Sequence, residues 1–111
     1  MATYHILFNP YAGNGNGEQE AHRLDALFSG ETLVYHNMTE IASYEDFFRS
    51  IESDTNVVLC GGDGTLNRFL NDTAGVGIPN ELVEMTFYMI SEKKRAPLRF
   101  PLKNILKICP R

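Results

Sequence analysis

The strongest constraint on this chain is the stretch Val57-Val58-Leu59-Cys60-Gly61-Gly62-Asp63-Gly64-Thr65-Leu66-Asn67. Its apolar start reads as a buried strand, which breaks into a glycine turn and opens a helix. Glycine at 61, 62 and 64 removes side chains, so backbone N–H groups can approach a phosphate closely. The helix beginning near Thr65 adds unpaired N–H groups and the positive end of its dipole. A second turn, Asn9-Pro10-Tyr11-Ala12-Gly13-Asn14-Gly15-Asn16-Gly17, follows another apolar strand. One such turn also fits a plain strand-to-helix connection. Two in one alternating chain predict a nucleotide site.

The rest of the pattern supplies the frame. Tyr4–Asn9 reads as a strand and Pro10–Gly17 as a loop. A helix is expected over Glu18–Phe28, with Ala21, Leu24, Leu27 and Phe28 on one face and Gly30 as its stop. Thr32–Asn37 is a second strand. Ser43 caps a helix whose apolar face is Tyr44, Phe47, Phe48 and Ile51. Asn56–Cys60 is a third strand and Thr65–Asn71 begins a third helix. This alternation predicts an α/β three-layer sandwich with a mainly parallel sheet and helices on both faces. Gly75–Pro79 reads as a loop leading into the sheet, and Glu84–Ile90 as a fourth strand. Leu98, Leu102, Ile105, Leu106 and Cys109 recur at helical spacing, and Pro97 and Pro101 allow a helix only from about Pro101 onward.

At 111 residues the chain has room for one modest core. Its charge is divided unevenly. All 14 acidic residues lie within residues 1–92, against three basic ones, and the other seven basic residues lie within residues 93–111. A body at 3 − 14 = −11 is poorly suited to nucleic acid, whereas a tail at +7 fits either an acidic membrane surface or, more plainly, a leftover or solvated helix. With only Cys60 and Cys109, a disulfide framework is not expected, which points to a reducing, cytoplasmic setting. No basic start leads into an apolar run, and no stretch approaches the roughly 18 apolar residues of a membrane span. Any membrane contact is then peripheral.

Gly13-x-Gly15-x-Gly17 has the wrong spacing for a dinucleotide fingerprint, and His36-Asn37 stands where an acidic ribose ligand belongs. Neither turn is followed by the Gly-Lys-Ser/Thr of a Walker loop. Asn9-Pro10-Tyr11-Ala12-Gly13 and Gly61-Gly62-Asp63-Gly64-Thr65-Leu66-Asn67 together resemble the catalytic domain of diacylglycerol kinases. That superfamily includes sphingosine kinases and bacterial lipid kinases. The resemblance covers about Tyr4 to Asn80 in order and spacing, including Thr39-Glu40. NAD kinases and phosphofructokinases share only the Gly-Gly-Asp-Gly element.

The resemblance implies the N-terminal nucleotide-binding half of a two-domain lipid kinase fold. It implies ATP and Mg²⁺ as cofactors and a diacylglycerol-like lipid as acceptor, hence transfer of phosphate to an alcohol group. Asn9, Pro10, Tyr11, Ala12 and Gly13 would then lie beside the ATP phosphates, and Thr39 would contact the nucleotide. Gly61, Gly62, Asp63 and Gly64 would wrap the phosphates. Thr65 would add a hydroxyl and an N–H, and Asn67 would support the turn. Asp63 is also the candidate catalytic residue, acting through magnesium or by holding the loop. Such roles suit phosphoryl transfer, which rests on positioning and charge stabilisation.

Structural explanations compete at each position. Asn9 also fits a turn former, Thr39 a helix-entry residue, and Asp63 an acceptor for loop N–H groups. Asn71-Asp72 reads as a helix end, His5, His22 and His36 as ordinary strand or surface histidines, and Phe47 and Phe48 as core. No set of metal ligands is expected.

Two units are expected. Residues 1–80 form a partial nucleotide-binding domain, and residues 81–111 a divergent basic segment. The family's second domain, which holds the acceptor site and general base, has no counterpart here. The motif Gly-Thr/Ser-x-Asn-Asp, expected after Pro79, is also missing. Read from the third base of the Glu81 codon, permitted codons for residues 81–91 spell Thr-Gly-Gly-Asn-Asp-Phe-Leu-His-Asp-Ile, so this segment reads as a frame-shifted copy selected for no packing. Gene codons unable to give Thr-Gly-x-Asn-Asp in that frame would exclude the idea. Three alternatives remain: an NAD kinase-like enzyme, a non-catalytic nucleotide-binding module, and an inactive fragment.

Overall fold

Continuous apolar runs fall where a parallel sheet needs its central strands. A computed structural model describes residues 2–79, 84–89, 98–102 and 108–109. Strand β1 (Thr3–Phe8) lies between β2 (Thr32–Asn37) and β3 (Asn56–Gly61) and runs parallel to both. Beyond β3 come the short β4 (Ile78–Pro79) and then β5 (Glu84–Met89), which pairs parallel with β3. Strand β6 (Leu98–Pro101) is antiparallel to β5 at the far edge, giving the order β2-β1-β3-β5-β6. Strand β4 pairs instead with β7 (Ile108–Cys109) in a separate two-stranded sheet.

Burial follows position in the sheet. His5–Phe8 of β1 and Asn56–Cys60 of β3 are buried without a break, as two-sided coverage of a parallel sheet requires. On β2, an edge strand, exposure alternates at first and Val34 stays 37 % exposed. Ile6, Phe8, Val58 and Cys60 face one side and pack with Ala21 and Leu24. Leu7, Val57, Leu59, Met85 and Phe87 face the other and pack with Tyr44, Phe47, Phe48 and Phe69. The helices therefore form two outer layers. Helices α1 (Ala12–Gly15), α2 (Gly17–Ala21) and α3 (Leu24–Leu27) connect β1 to β2, and α2 and α3 cover the first face. Helices α4 (Tyr44–Ser50) and α5 (Asp63–Asp72) cover the second.

Ser43 caps α4 as its sequence requires, its hydroxyl accepting from the Asp46 N–H at 3.2 Å. The helix expected over Glu18–Phe28 is broken. Between α2 and α3 the hydrogen bonds tighten to i−3, Arg23 N–H to Glu20 O and Asp25 N–H to His22 O. The break is tied to β2: the His22 ring stacks on Tyr35 at 4.0 Å, and the Tyr35 hydroxyl donates to Asp25. Leu27 consequently leaves the apolar face and is 51 % exposed. Part of the expected Pro10–Gly17 loop is the helical turn α1.

The C-terminal expectations need one correction. Ile108–Cys109, within the helix expected from about Pro101 onward, is a strand, and Leu98–Pro101 before it is a strand as well. Pro101 is tolerated because β6 is an edge strand, where a missing N–H breaks no inner ladder. Residues 103–107 lie outside the described residues. The fourth strand expected over Glu84–Ile90 is β5, Glu84–Met89, in which Met85, Thr86 and Phe87 are at most 1 % exposed. Leu102 is fully buried beside them, and its N–H donates to the Met85 carbonyl at 2.8 Å.

Candidate functional site

Strand register brings the sequence-predicted residues to one end of the sheet. Phe8, the last residue of β1, pairs with Asn37, the last of β2, and with Cys60 of β3. Asn9, Met38 and Gly62 therefore follow from neighbouring strand ends. Between β1 and β3 the chain connections diverge, one to β2 and the other toward β5. In open α/β sheets the crevice outside the carboxyl ends at such a switch point is where ligands bind.

The first turn is held by its own hydrogen bonds. The Asn9 side-chain Oδ1 accepts from the Tyr11 N–H at 3.0 Å, and the Asn9 carbonyl accepts from the Ala12 N–H at 3.1 Å. Asn9 is thus a turn former, as the structural explanation held. Tyr11 projects from this turn, 74 % exposed.

The second turn combines one filled position with two open ones. A Cβ on Gly61 would lie 2.6 Å from Thr65 Oγ1, so Gly61 is needed to seat Thr65, which is 2 % exposed. A Cβ on Gly62 or Gly64 would meet nothing within 4 Å. Gly62 is the N-cap of α5 at φ −106°, and no side chain caps that helix. Its first N–H groups are left for a ligand or water. Asp63 and Asn67 are exposed on α5, one helical turn apart.

Thr39 belongs to a third turn, a 3-10 segment over Met38–Glu40. Its N–H and its hydroxyl both donate to Asn37 Oδ1, at 2.9 and 2.6 Å. Asn37 therefore positions Thr39, a role the sequence reading missed. The available signal was an Asn ending a strand two residues before Thr, the spacing of an Asx cap.

Beneath the turns, Phe8, Leu59 and Cys60 are buried. Burial, reinforced by the charge of Glu20 and opposed by Arg23, pushes the Cys60 thiol up to about 12. Cys60 is therefore a packing residue and no nucleophile. Phe47 and Phe48 are core, 8 % and 5 % exposed. His5 and His36, unremarkable by spacing, meet across β1 and β2 with Nδ1 to Nε2 at 2.9 Å, and His5 Nε2 bonds Glu52 at 3.1 Å. Among the described residues no group of three His, Cys, Asp or Glu side chains could hold a metal ion. None of their helices is long and apolar enough to cross a membrane.

Comparison with known proteins adds one match. The family model described as the diacylglycerol kinase catalytic domain matches residues 3–89, from β1 through β5. No curated protein and no solved structure matches the chain.

Proposed function

This chain belongs to the diacylglycerol kinase catalytic-domain family, and from that premise we propose that the carboxyl end of its sheet holds the phosphates of ATP. The observation that carries the proposal is the open space over Gly62 and Gly64 beside the uncapped start of α5. Glycine there satisfies no packing demand, whereas a bound phosphate needs that space and those N–H groups. Residues Asn9 to Gly13 flank the phosphates from the neighbouring strand, and Thr39, braced by Asn37, approaches from the next one. Because Thr65 is buried against Gly61, its part is the backbone N–H of the first helical turn.

Mg²⁺ fits this arrangement as a partner of the nucleotide. It is commonly held by one or two carboxylates together with substrate phosphates, and Asp63 stands exposed at the first residue of α5. When bound, the ion neutralises charge on the phosphates. The chain's own residues bind and orient them, which is most of what phosphoryl transfer asks of a protein. The acceptor is a lipid hydroxyl of the diacylglycerol class. The protein works in the cytoplasm and meets the membrane peripherally, through the basic residues within 93–111 acting on anionic headgroups.

Thermal unfolding with and without millimolar Mg-ATP, beside a Gly62→Asp variant, tests the proposal. Saturation to 100 times Kd raises stability by about 2.7 kcal/mol. The expected result is a higher midpoint with Mg-ATP in the unaltered chain and no change in Gly62→Asp, where a carboxylate fills the cradle. An unmoved midpoint in the unaltered chain would overturn it.

A further inference from the structure

We propose that Gly17 is a positioning residue for the nucleotide, holding the Asn9–Gly13 turn at its working distance from the second glycine turn; this rests on the ATP site proposed above. Gly17 is the buried first residue of α2. A Cβ there would lie 1.7 Å from the Asn9 carbonyl oxygen, 2.8 Å from its carbonyl carbon and 3.1 Å from Pro10 Cα. All three are backbone atoms, so no rotamer change relieves the overlap. Gly17 also lies outside the positive-φ glycines of the chain. The contact, and not the local backbone conformation, demands glycine.

The contact closes the first turn into a loop. Gly17 N–H donates to the Pro10 carbonyl at 3.4 Å, and the Asn9 carbonyl under Gly17 is the one that accepts from Ala12. The two sides of the contact differ in how firmly they are held. Helix α2 is anchored by Ala21, fully buried among Ile6, Phe8, Val58 and Cys60. The turn carries the exposed Tyr11 and is held mainly by its own hydrogen bonds. A side chain at 17 therefore displaces the turn. Ordinary contact begins at 3.4 Å, twice the 1.7 Å available, so the shift exceeds an ångström. Misplacing a positioning element by about 1 Å can cost on the order of a hundredfold in the rate of the reaction it orients.

The test compares Gly17→Ala with Gln19→Ala, an exposed position on the same helix, by Mg-ATP calorimetry and backbone amide NMR. Gly17→Ala should keep a cooperative melt, weaken Mg-ATP binding about tenfold, a loss of about 1.4 kcal/mol, and move the Tyr11 and Ala12 amides while leaving those of Phe47 and Phe48 in place. Gln19→Ala should change neither. Affinity unchanged in Gly17→Ala overturns the positioning role. Absence of binding in the unaltered chain overturns the ATP site itself, and the two failures are thereby told apart. Should Gly17→Ala not fold, amide exchange in the unaltered chain decides. Saturating Mg-ATP should slow Gly17 and Ala12 together, and protection of Ala12 alone overturns the proposal.

Discussion

In the first turn a Cβ at Gly17 would lie 1.7 Å from a backbone carbonyl; in the second, Cβ atoms on Gly62 and Gly64 would meet nothing within 4 Å. Two stretches of similar composition thus use glycine for different ends. Gly17 lets two pieces of the protein touch, whereas Gly62 and Gly64 keep a space clear. Gly61 sides with Gly17, because its missing side chain is what admits Thr65. A glycine-rich motif is therefore part packing and part open space, and only the neighbours of each residue separate the two.

The sharpest way to break this comparison is Gly17→Val, which should cost about 3 kcal/mol in urea unfolding, the upper end of ordinary overpacking. A stability like that of the unaltered chain would mean the turn yields freely. Gly61→Ala comes next, at about 2 kcal/mol, because a buried Thr65 must move. The strands beneath the two turns also differ. Buried His5 of β1 bonds His36 of β2, and the bond needs one nitrogen to accept. Burial, and then the charge of His5, lower the His36 pKa in the folded chain. A group depressed in this way adds stability above its unfolded pKa, about 6.5, and loses it as pH falls. Between pH 7.5 and 5.5 the melting temperature should fall, and His36→Phe should flatten the slope; an equal slope in both would exclude the pair as its source. The smallest stability effect belongs to Gly62→Ala, within about 0.5 kcal/mol, yet it should remove the Mg-ATP-dependent rise in midpoint. A large loss of stability would make Gly62 a packing residue and erase the contrast.

Much of the fold was legible because local chemistry and tertiary demand agree there. Val57–Cys60 is apolar without a break and is a central strand; Ser43 before Tyr44-Glu45-Asp46 caps a helix as written. Where the two disagree, the sequence misleads. Leu27 fits a helical face, but the tie from Tyr35 to Asp25 helps draw the break between α2 and α3 onto β2 and turns Leu27 outward. Leu98 and Cys109 fit a helical period, but β5 and β4 provide strand edges for their segments to pair with. Of the candidate site, the turns and their glycines were legible. Asn37 was not, because its value lies in where β2 ends beside β1.

By itself the amino-acid sequence determined the alternation of strands and helices, the central strands and the two glycine turns, since these depend on residues close along the chain. The tertiary structure decided which turns share an edge, that Gly17 rests on Asn9, that the space over Gly62 and Gly64 stays open, and that the strand expected over Glu84–Ile90 pairs with β3. The physical reason is that strand pairing and close backbone contact join residues far apart in the chain, where local pattern carries no information about distance.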